Sequence, residues 1–307
     1  MAILRLKPAC KDYLWGGEIL REKYHVQSDL NPLAEAWVFS CHPDGPSTII
    51  NGAFSGKTLN EFFAEHPEAL GKLGQKFEFF PVLIKLIDAK DDLSIQVHPS
   101  DDYALKNEGQ YGKTEMWYVL SHEPGAFLYY GFEQAVSPEE FRKRIEDRTL
   151  TEVLHKVLVQ NGDVFFIPSG TVHAIGKGIQ IAEIQQNSNL TYRIYDYGRV
   201  GADGKPRDLH VEKAIRVARL SQAETPLFQD HIGQCEYFTT DLMDGPFSGI
   251  CGEESFLSIL VVAGDGNIDC NGEHMEIRIG DSILLPANSG GYSVTGTGLK
   301  CLITYLK

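Results

Sequence analysis

Four side chains in this sequence have the types and spacing of a metal-binding set: Gln96, His98, Glu115 and His173. Residues 93–99 alternate between apolar and polar side chains. Gln96 and His98 are therefore predicted to extend from one face of a strand, where both can reach one ion. Two imidazoles, one carboxylate and one amide oxygen suit a borderline divalent metal, and zinc is the first choice. The competing interpretation, a set of unrelated polar residues, is disfavoured by this alternation and by an internal repeat.

His173 ends a regular spacing of turn-forming residues. Gly162, Pro168, Gly170 and His173 form the pattern G-x5-P-x-G-x2-H. Residues 164–167 are expected to form a buried strand that Pro168 ends, since proline has no N–H for a ladder, and Gly170 permits a tight turn. A lone histidine on a strand is more often a core residue than a ligand. This spacing, however, resembles the second motif of the cupin superfamily, whose histidine points into a small barrel and binds metal.

The composition bounds the class of protein. A chain of 307 residues with 43% hydrophobic and 23% charged residues can bury a large core and suggests two globular domains. The formal charge of −14 argues against nucleic acid or an anionic membrane surface as the main partner, but not against a small anionic substrate. Neither a transmembrane run nor a signal peptide is apparent, and the six cysteines form no CxxC pair. We expect reduced thiols and a cytoplasmic location.

The C-terminal part of the sequence repeats part of the histidine motif. Residues 280–286 repeat the G-D-x4-P spacing of residues 162–168, but Gly291 stands at the position that corresponds to His173. We interpret this as an internal repeat of two cupin-like barrels, of which only the first keeps a metal-binding histidine.

The remaining patterning predicts the fold class and the domain organisation. The fold is expected to be mainly β, with two cupin-like jelly-roll barrels and a small α-helical insertion. The insertion is predicted at residues 137–158, and a further helix is predicted at 208–220. We expect a catalytic metal-binding domain at residues 1–230 and a degenerate cupin-like β domain at 231–307.

Lys85 interrupts an apolar run at residues 80–87 that is predicted to be a strand. A lysine on a buried strand is costly unless it is paired or faces a polar cavity. A solvent-facing lysine on an edge strand explains the pattern equally well.

The order of motifs resembles type I mannose-6-phosphate isomerase, most closely its short bacterial form. The motifs are LSIQVHP at 93–99, GKTEM at 112–116, PSGTVHA at 168–174 and EIQQNSNLTYR at 183–193. Ordinary cupins use an H-x-H pair in their first motif, whereas Gln96 replaces the first histidine here, as it does in this isomerase family. The match runs through roughly residues 10 to 210.

This resemblance implies a cofactor and a reaction. One zinc ion per chain would be held by the four residues Gln96, His98, Glu115 and His173. The family interconverts mannose 6-phosphate and fructose 6-phosphate. A base takes the proton from C2 of the open sugar, a cis-enediol forms, and the proton returns to C1.

The resemblance also implies roles for five further residues. Arg193 would stabilise the developing oxyanion, and Glu183 would transfer the proton, with Lys113 or a metal-bound hydroxide as alternatives for the base. Lys113 and Lys85 would bind the substrate phosphate as cations, and Ser94 would donate a hydrogen bond to it. Matching the family makes an inward-facing Lys85 the favoured interpretation.

Two other classes of function compete with this one. A metal-dependent cupin dioxygenase or decarboxylase would usually hold iron or manganese through H-x-H, so Gln96 counts against it. A non-catalytic sugar-binding cupin would not require an intact ligand set together with Arg193 and Lys113. The expected partner is a small phosphosugar, with neither nucleic acid nor membrane, and the sequence leaves monomer and homodimer open.

Overall fold

The structure is a computed structural model that describes residues 3–200 and 204–307, and it is built mainly from β-strands. The strands, in chain order, are β1 (Leu4–Lys7), β2 (Ala9–Lys11), β3 (Glu35–Phe39), β4 (Thr48–Ile49), β5 (Val82–Ala89), β6 (Ile95–Val97), β7 (Glu115–His122), β8 (Phe127–Phe132), β9 (Leu154–Leu158), β10 (Val164–Ile167), β11 (His173–Ile175), β12 (Ile179–Gln186), β13 (Tyr192–Tyr195), β14 (Gly233–Gln234), β15 (Thr239–Asp244), β16 (Phe247–Cys251), β17 (Leu257–Cys270), β18 (Glu273–Arg278), β19 (Ser282–Leu285) and β20 (Gly290–Tyr305). The α-helices are α1 (Ile19–Glu22), α2 (Leu59–Glu65), α3 (Gly71–Gly74), α4 (Asp101–Glu108), α5 (Pro138–Glu146) and α6 (Val211–Val217). Short 3₁₀ turns lie at Gly52–Phe54, Pro67–Leu70 and Leu150–Glu152.

The chain packs as two compact units. The central unit consists of residues 12–17 and 87–226, and the terminal unit consists of the described residues up to 11 together with 18–86 and 227–307. The last segment of the terminal unit begins close to the expected boundary at residue 230. The expected division placed residues 1–230 together, whereas the described residues up to 11 and residues 18–86 group with the C-terminal strands, and Leu4 of β1 pairs with Leu284 of β19. The catalytic role assigned to residues 1–230 stays a prediction.

The central unit contains two antiparallel sheets, as a jelly roll requires. In one sheet β7 lies between β10 and β12, and the other has the order β13-β6-β11-β8-β9. The predicted strand at 164–167 is β10, which ends at Pro168 as expected. Gly170 has φ +88°, which supports the tight turn into β11. The mainly β prediction and its barrels are therefore confirmed.

The predicted helical insertion is shorter than expected. Ser137 is the N-cap residue of α5, and its hydroxyl accepts a hydrogen bond from the amide of Glu140 at 3.1 Å. The prediction of helix up to residue 158 was wrong for the last part, because Leu154–Leu158 forms β9 and pairs with β8. The predicted helix at 208–220 likewise contracts to α6, since Ala218 is already extended.

The sequence analysis missed helix α4, although its signals are present. Ser100 precedes it in an extended conformation, and Asp101 and Asp102 lie in its first turn. Gly109 ends the helix with φ +68°. Tyr103 of α4 packs against the apolar cluster that contains Val97 of β6.

The terminal unit contains the second barrel. Its sheet has the order β14-β15-β20-β17-β19-β1-β4, with β16 paired to β20 and β18 paired to β17. β19 is the strand of the predicted repeat, and Gly280 before it has φ +90°, against +88° for Gly162 before β10. All six cysteines are free thiols, as expected. Among residues 3–200 and 204–307, the longest apolar helices are too short to cross a bilayer.

Candidate active site

Three of the four predicted ligands meet in the interior of the central unit. His98, Glu115 and His173 are buried, and one donor atom from each lies within 4.8 Å of the others. Glu115 Oε1 lies 3.3 Å from His173 Nε2, and Glu115 Oε2 lies 3.7 Å from His98 Nε2. Ligand atoms at ~2.0–2.2 Å from one tetrahedral ion would be about 3.3–3.6 Å apart. The donor set and its spacing therefore fit a divalent cation.

Gln96 lies beside this cluster through strand register. It pairs with His173 of β11, so both side chains share one face of the sheet. Gln96 Nε2 lies 3.3 Å from His173 Nε2. Because the two ends of a glutamine amide exchange by rotation of its last torsion, the same position can present the oxygen Oε1 to a cation.

Backbone carbonyls orient both imidazoles. His98 Nδ1 lies 2.8 Å from the carbonyl oxygen of Leu190, and His173 Nδ1 lies 2.9 Å from that of Thr171. A carbonyl can only accept, so each Nδ1 carries the proton and each Nε2 presents a lone pair towards Glu115. Burial lowers the pKa of His173 to about 4, with the nearby Lys113 ammonium adding to the effect. His173 is therefore a neutral imidazole at pH 7.

Lys113 connects the ligand cluster to Glu183. Its Nζ lies 2.5 Å from Glu115 Oε2, 3.4 Å from His98 Nε2 and 3.5 Å from Glu183 Oε1. All of these groups are buried, so the ammonium and the two carboxylates interact in a medium of low dielectric constant. Lys113 is thus positioned against both carboxylates of the site.

Trp117 is a site residue that the sequence analysis did not single out. Its Nε1–H donates a hydrogen bond to Glu183 Oε2 at 3.1 Å, and its ring packs edge-on against His173 at 5.3 Å between centroids. Trp117 pairs with Glu183 across β7 and β12, and it follows Glu115 by two residues on the same face. That two-residue spacing was the available sequence signal.

Arg193 lies on the same face as the predicted metal ligands. It pairs with Gln96, which pairs in turn with His173, so the three side chains form one row across β13, β6 and β11. Arg193 Nη1 donates to the carbonyl oxygen of Asp208 at 2.9 Å. Its Nε is buried and has no hydrogen-bond partner among the described residues. This N–H can donate a hydrogen bond to an oxygen atom of a ligand.

Ser94 and Lys85 have different surroundings. Ser94 is buried and precedes Gln96 by two residues, as the alternation predicted. Lys85 belongs to β5 in the terminal unit and is only 3% exposed, so the solvent-facing interpretation was wrong. Its Nζ lies 3.7 Å from Glu35 Oε2 and 5.1 Å from the centroid of the Trp37 ring. Substrate contacts for both residues stay predictions.

Comparison with known proteins identifies the family. Residues 3–125 match the model of the phosphomannose isomerase type I catalytic domain, and residues 229–305 match that of the mannose-6-phosphate isomerase cupin domain. The chain is 39% identical to a probable mannose-6-phosphate isomerase of Bacillus subtilis, with 96% of each chain covered. It is 41% identical to the mannose-6-phosphate isomerase of Streptococcus mutans, with 89% of each covered. The crystal structure of the mannose 6-phosphate isomerase from Bacillus subtilis superposes with a TM-score of 0.89 at 34% identity, over 99% of both chains. On this evidence the chain belongs to the type I phosphomannose isomerase family.

Proposed function

We propose that this enzyme is a zinc-dependent aldose–ketose isomerase that interconverts mannose 6-phosphate and fructose 6-phosphate through a cis-enediol. The names of the relatives support the substrate pair. The observation that carries the chemical part is the buried set of His98, Glu115 and His173 in register with Arg193. The reaction is an internal redox change, so it consumes no second substrate.

The proposed metal ligands are Nε2 of His98 and of His173, a carboxylate oxygen of Glu115 and Oε1 of Gln96. Nitrogen and oxygen donors of this kind favour zinc among the common divalent ions, although geometry and supply also decide selectivity. When bound, zinc would polarise the sugar carbonyl as a Lewis acid. Glu115 would balance part of the charge of the ion.

Glu183 is the proposed base. A carboxylate that removes the proton from C2 of the open aldose and delivers it to C1 leaves the enzyme unchanged, while the hydroxyl proton of the sugar moves between O2 and O1. Trp117 holds Oε2 by a hydrogen bond of 3.1 Å, and Oε1 is the atom proposed to face the substrate. Lys113, at 3.5 Å from Oε1, stabilises the ionised form of Glu183.

Cations are proposed to stabilise the negative charges of the substrate. Arg193 would donate a hydrogen bond to the oxygen on which charge develops in the enediolate, because its buried Nε–H has no hydrogen-bond partner among the described residues. Lys113, Lys85 and Ser94 are proposed for the polar groups of the sugar phosphate. We further propose a cytoplasmic location, where sugar phosphates are available, and a small phosphosugar as the partner.

The test is isomerisation of mannose 6-phosphate by the purified protein, before and after chelation and with zinc, iron(II) or manganese added back. We expect chelation to abolish turnover and zinc to restore it. Glu183→Gln should lower kcat by about 10²–10⁴-fold without loss of bound zinc, since general-base catalysis contributes an effect of that size. A zinc-loaded, folded protein without turnover would refute the proposed activity, and restoration only by iron would favour another cupin chemistry.

A further inference from the structure

The segment after β13 turns back and holds Arg193 at three points. The amide of His210 donates to the carbonyl oxygen of Arg193 at 2.7 Å, and the amide of Arg193 donates to His210 Nδ1 at 3.2 Å. Asp208 accepts the third hydrogen bond through its carbonyl oxygen, from Arg193 Nη1 at 2.9 Å. Backbone and guanidinium of one arginine are therefore held by one short segment, which we call the Arg193 clasp (Asp208–His210).

The side chain of His210 is used for the clasp and not for the helix that follows it. His210 is the N-cap residue of α6, and its carbonyl oxygen accepts from the amide of Ala214 at 2.9 Å. The imidazole of His210 makes no cap hydrogen bond to α6. The imidazole is instead directed to β13, where its Nδ1 accepts from Arg193 and its ring lies beside Tyr192 at 6.1 Å between centroids.

The clasp restricts the free donors of Arg193. With Nη1 fixed to a carbonyl oxygen and the backbone fixed on both sides, the planar guanidinium keeps a defined direction. Its buried Nε, which has no partner among the described residues, is then held in place before any ligand arrives. Donors that are fixed in advance stabilise developing charge better than donors that must reorganise.

We propose that His210 is a positioning residue for Arg193, acting as a neutral acceptor for the Arg193 amide and orienting the guanidinium together with the carbonyl of Asp208. This inference rests on the proposed function, which assigns the oxyanion to Arg193. His210 itself touches neither the metal ligands nor the proposed base in the described contacts.

The clasp requires an unprotonated Nδ1, and the surroundings of His210 favour that state. Partial burial lowers the pKa of His210, with Arg193 on β13 and Lys213 on α6 adding to the effect. Asp208 in the same segment and Glu108 on α4 oppose it. Glu108 itself accepts hydrogen bonds from Tyr192 and Lys213, at 2.8 and 2.6 Å. Protonation, as the pH falls through this lowered pKa, would remove the acceptor and add a positive charge next to the guanidinium.

The test compares His210→Leu with His210→Asn in the zinc-loaded enzyme. Leucine removes the acceptor, while asparagine can place Oδ1 close to the position of Nδ1 and does not titrate. We expect His210→Leu to lower kcat by about 10–100-fold with a small change in KM, as a slight misplacement of a catalytic group does. His210→Asn should recover most of kcat and should lose the part of the acidic fall in kcat that is expected from protonation of His210, while the part due to protonation of Glu183 remains. His274→Leu, an exposed histidine on β18, serves as the control.

Each outcome decides the inference. Recovery by asparagine but not by leucine, at equal bound zinc and similar thermal stability, supports a positioning role. Unchanged kcat in His210→Leu would overturn it and leave the isomerase activity standing. An equal loss in both variants that follows their loss of stability would also overturn it, in favour of a purely structural role. Absence of turnover in the wild type would overturn the proposed function and this inference together.

Discussion

Substitution of Lys113 tests the electrostatics of the site most directly. Its ammonium lies 2.5 Å from Glu115 Oε2, and both side chains are at most 5% exposed. Lys113→Met keeps much of the volume of the side chain but leaves the Glu115 carboxylate buried without this cation. Glu183 is affected less, because it keeps the hydrogen bond from Trp117.

The size of the effect should depend on the metal. Removing one partner of a buried ion pair costs about 3–5 kcal/mol of unfolding free energy. For a chain of this size that corresponds to a melting temperature lower by roughly 5–8 °C after chelation. A bound zinc ion supplies two positive charges to the same carboxylate. We therefore expect less than about half of this loss in the zinc-loaded protein, and zinc should stabilise the variant more than the wild type.

Thermal and urea unfolding with chelator and with saturating zinc would measure this difference. Lys106→Met is the matched control, because Lys106 is exposed and has no ion pair among the described residues. It should change stability by no more than about 0.5 kcal/mol in either state. An equal loss for Lys113→Met with and without zinc would refute the reasoning, since it would mean that the metal does not replace the ammonium at Glu115.

Two further predictions concern neighbouring side chains. In the chelated protein, the unfolding free energy should fall by about 3 kcal/mol as the pH drops from about 6.5 towards 4. Burial lowers the pKa of His173 in the folded chain to about 4, whereas in the unfolded chain this histidine takes up its proton near pH 6.5. Acid therefore stabilises the unfolded chain over this range. His173→Gln should lose that part of the slope in urea titrations at several pH values, and an unchanged slope would contradict the assignment. Trp117→Phe removes the hydrogen bond to Glu183 and should lower kcat by about 10–100-fold, as hydrogen bonds to charged groups are worth about 1.5–3 kcal/mol; steady-state kinetics at equal zinc content would measure it, and wild-type kcat would exclude a role in holding the base.

The local pattern of the sequence was enough to predict three side chains that the structure brings together, His98, Glu115 and His173. Alternation along a strand is a property of neighbouring residues, so Gln96 and His98 could be placed on one face without a structure. The glycines and the proline before His173 encode a turn in the same local way. For the same reason the mainly β class and the repeat at 280–286 were predictable.

Local pattern failed where pairing between distant segments overrides it. Residues 154–158 were predicted helical but form β9, because β8 offers a pairing partner. Helix α6 begins only at Val211, because His210 is hydrogen-bonded to β13. The periodicity of one segment does not predict which distant strand will pair with it.

The sequence by itself therefore determined which side chains can bind a metal, since residue type and strand alternation are local properties. Only the tertiary structure decided how those side chains are held. Lys113 and Trp117 both reach Glu183, which the pairing of β7 with β12 brings close to them. Asp208 and His210 reach Arg193 through a return of the chain. These contacts join residues far apart in sequence, and their hydrogen bonds become strong because folding removes them from water.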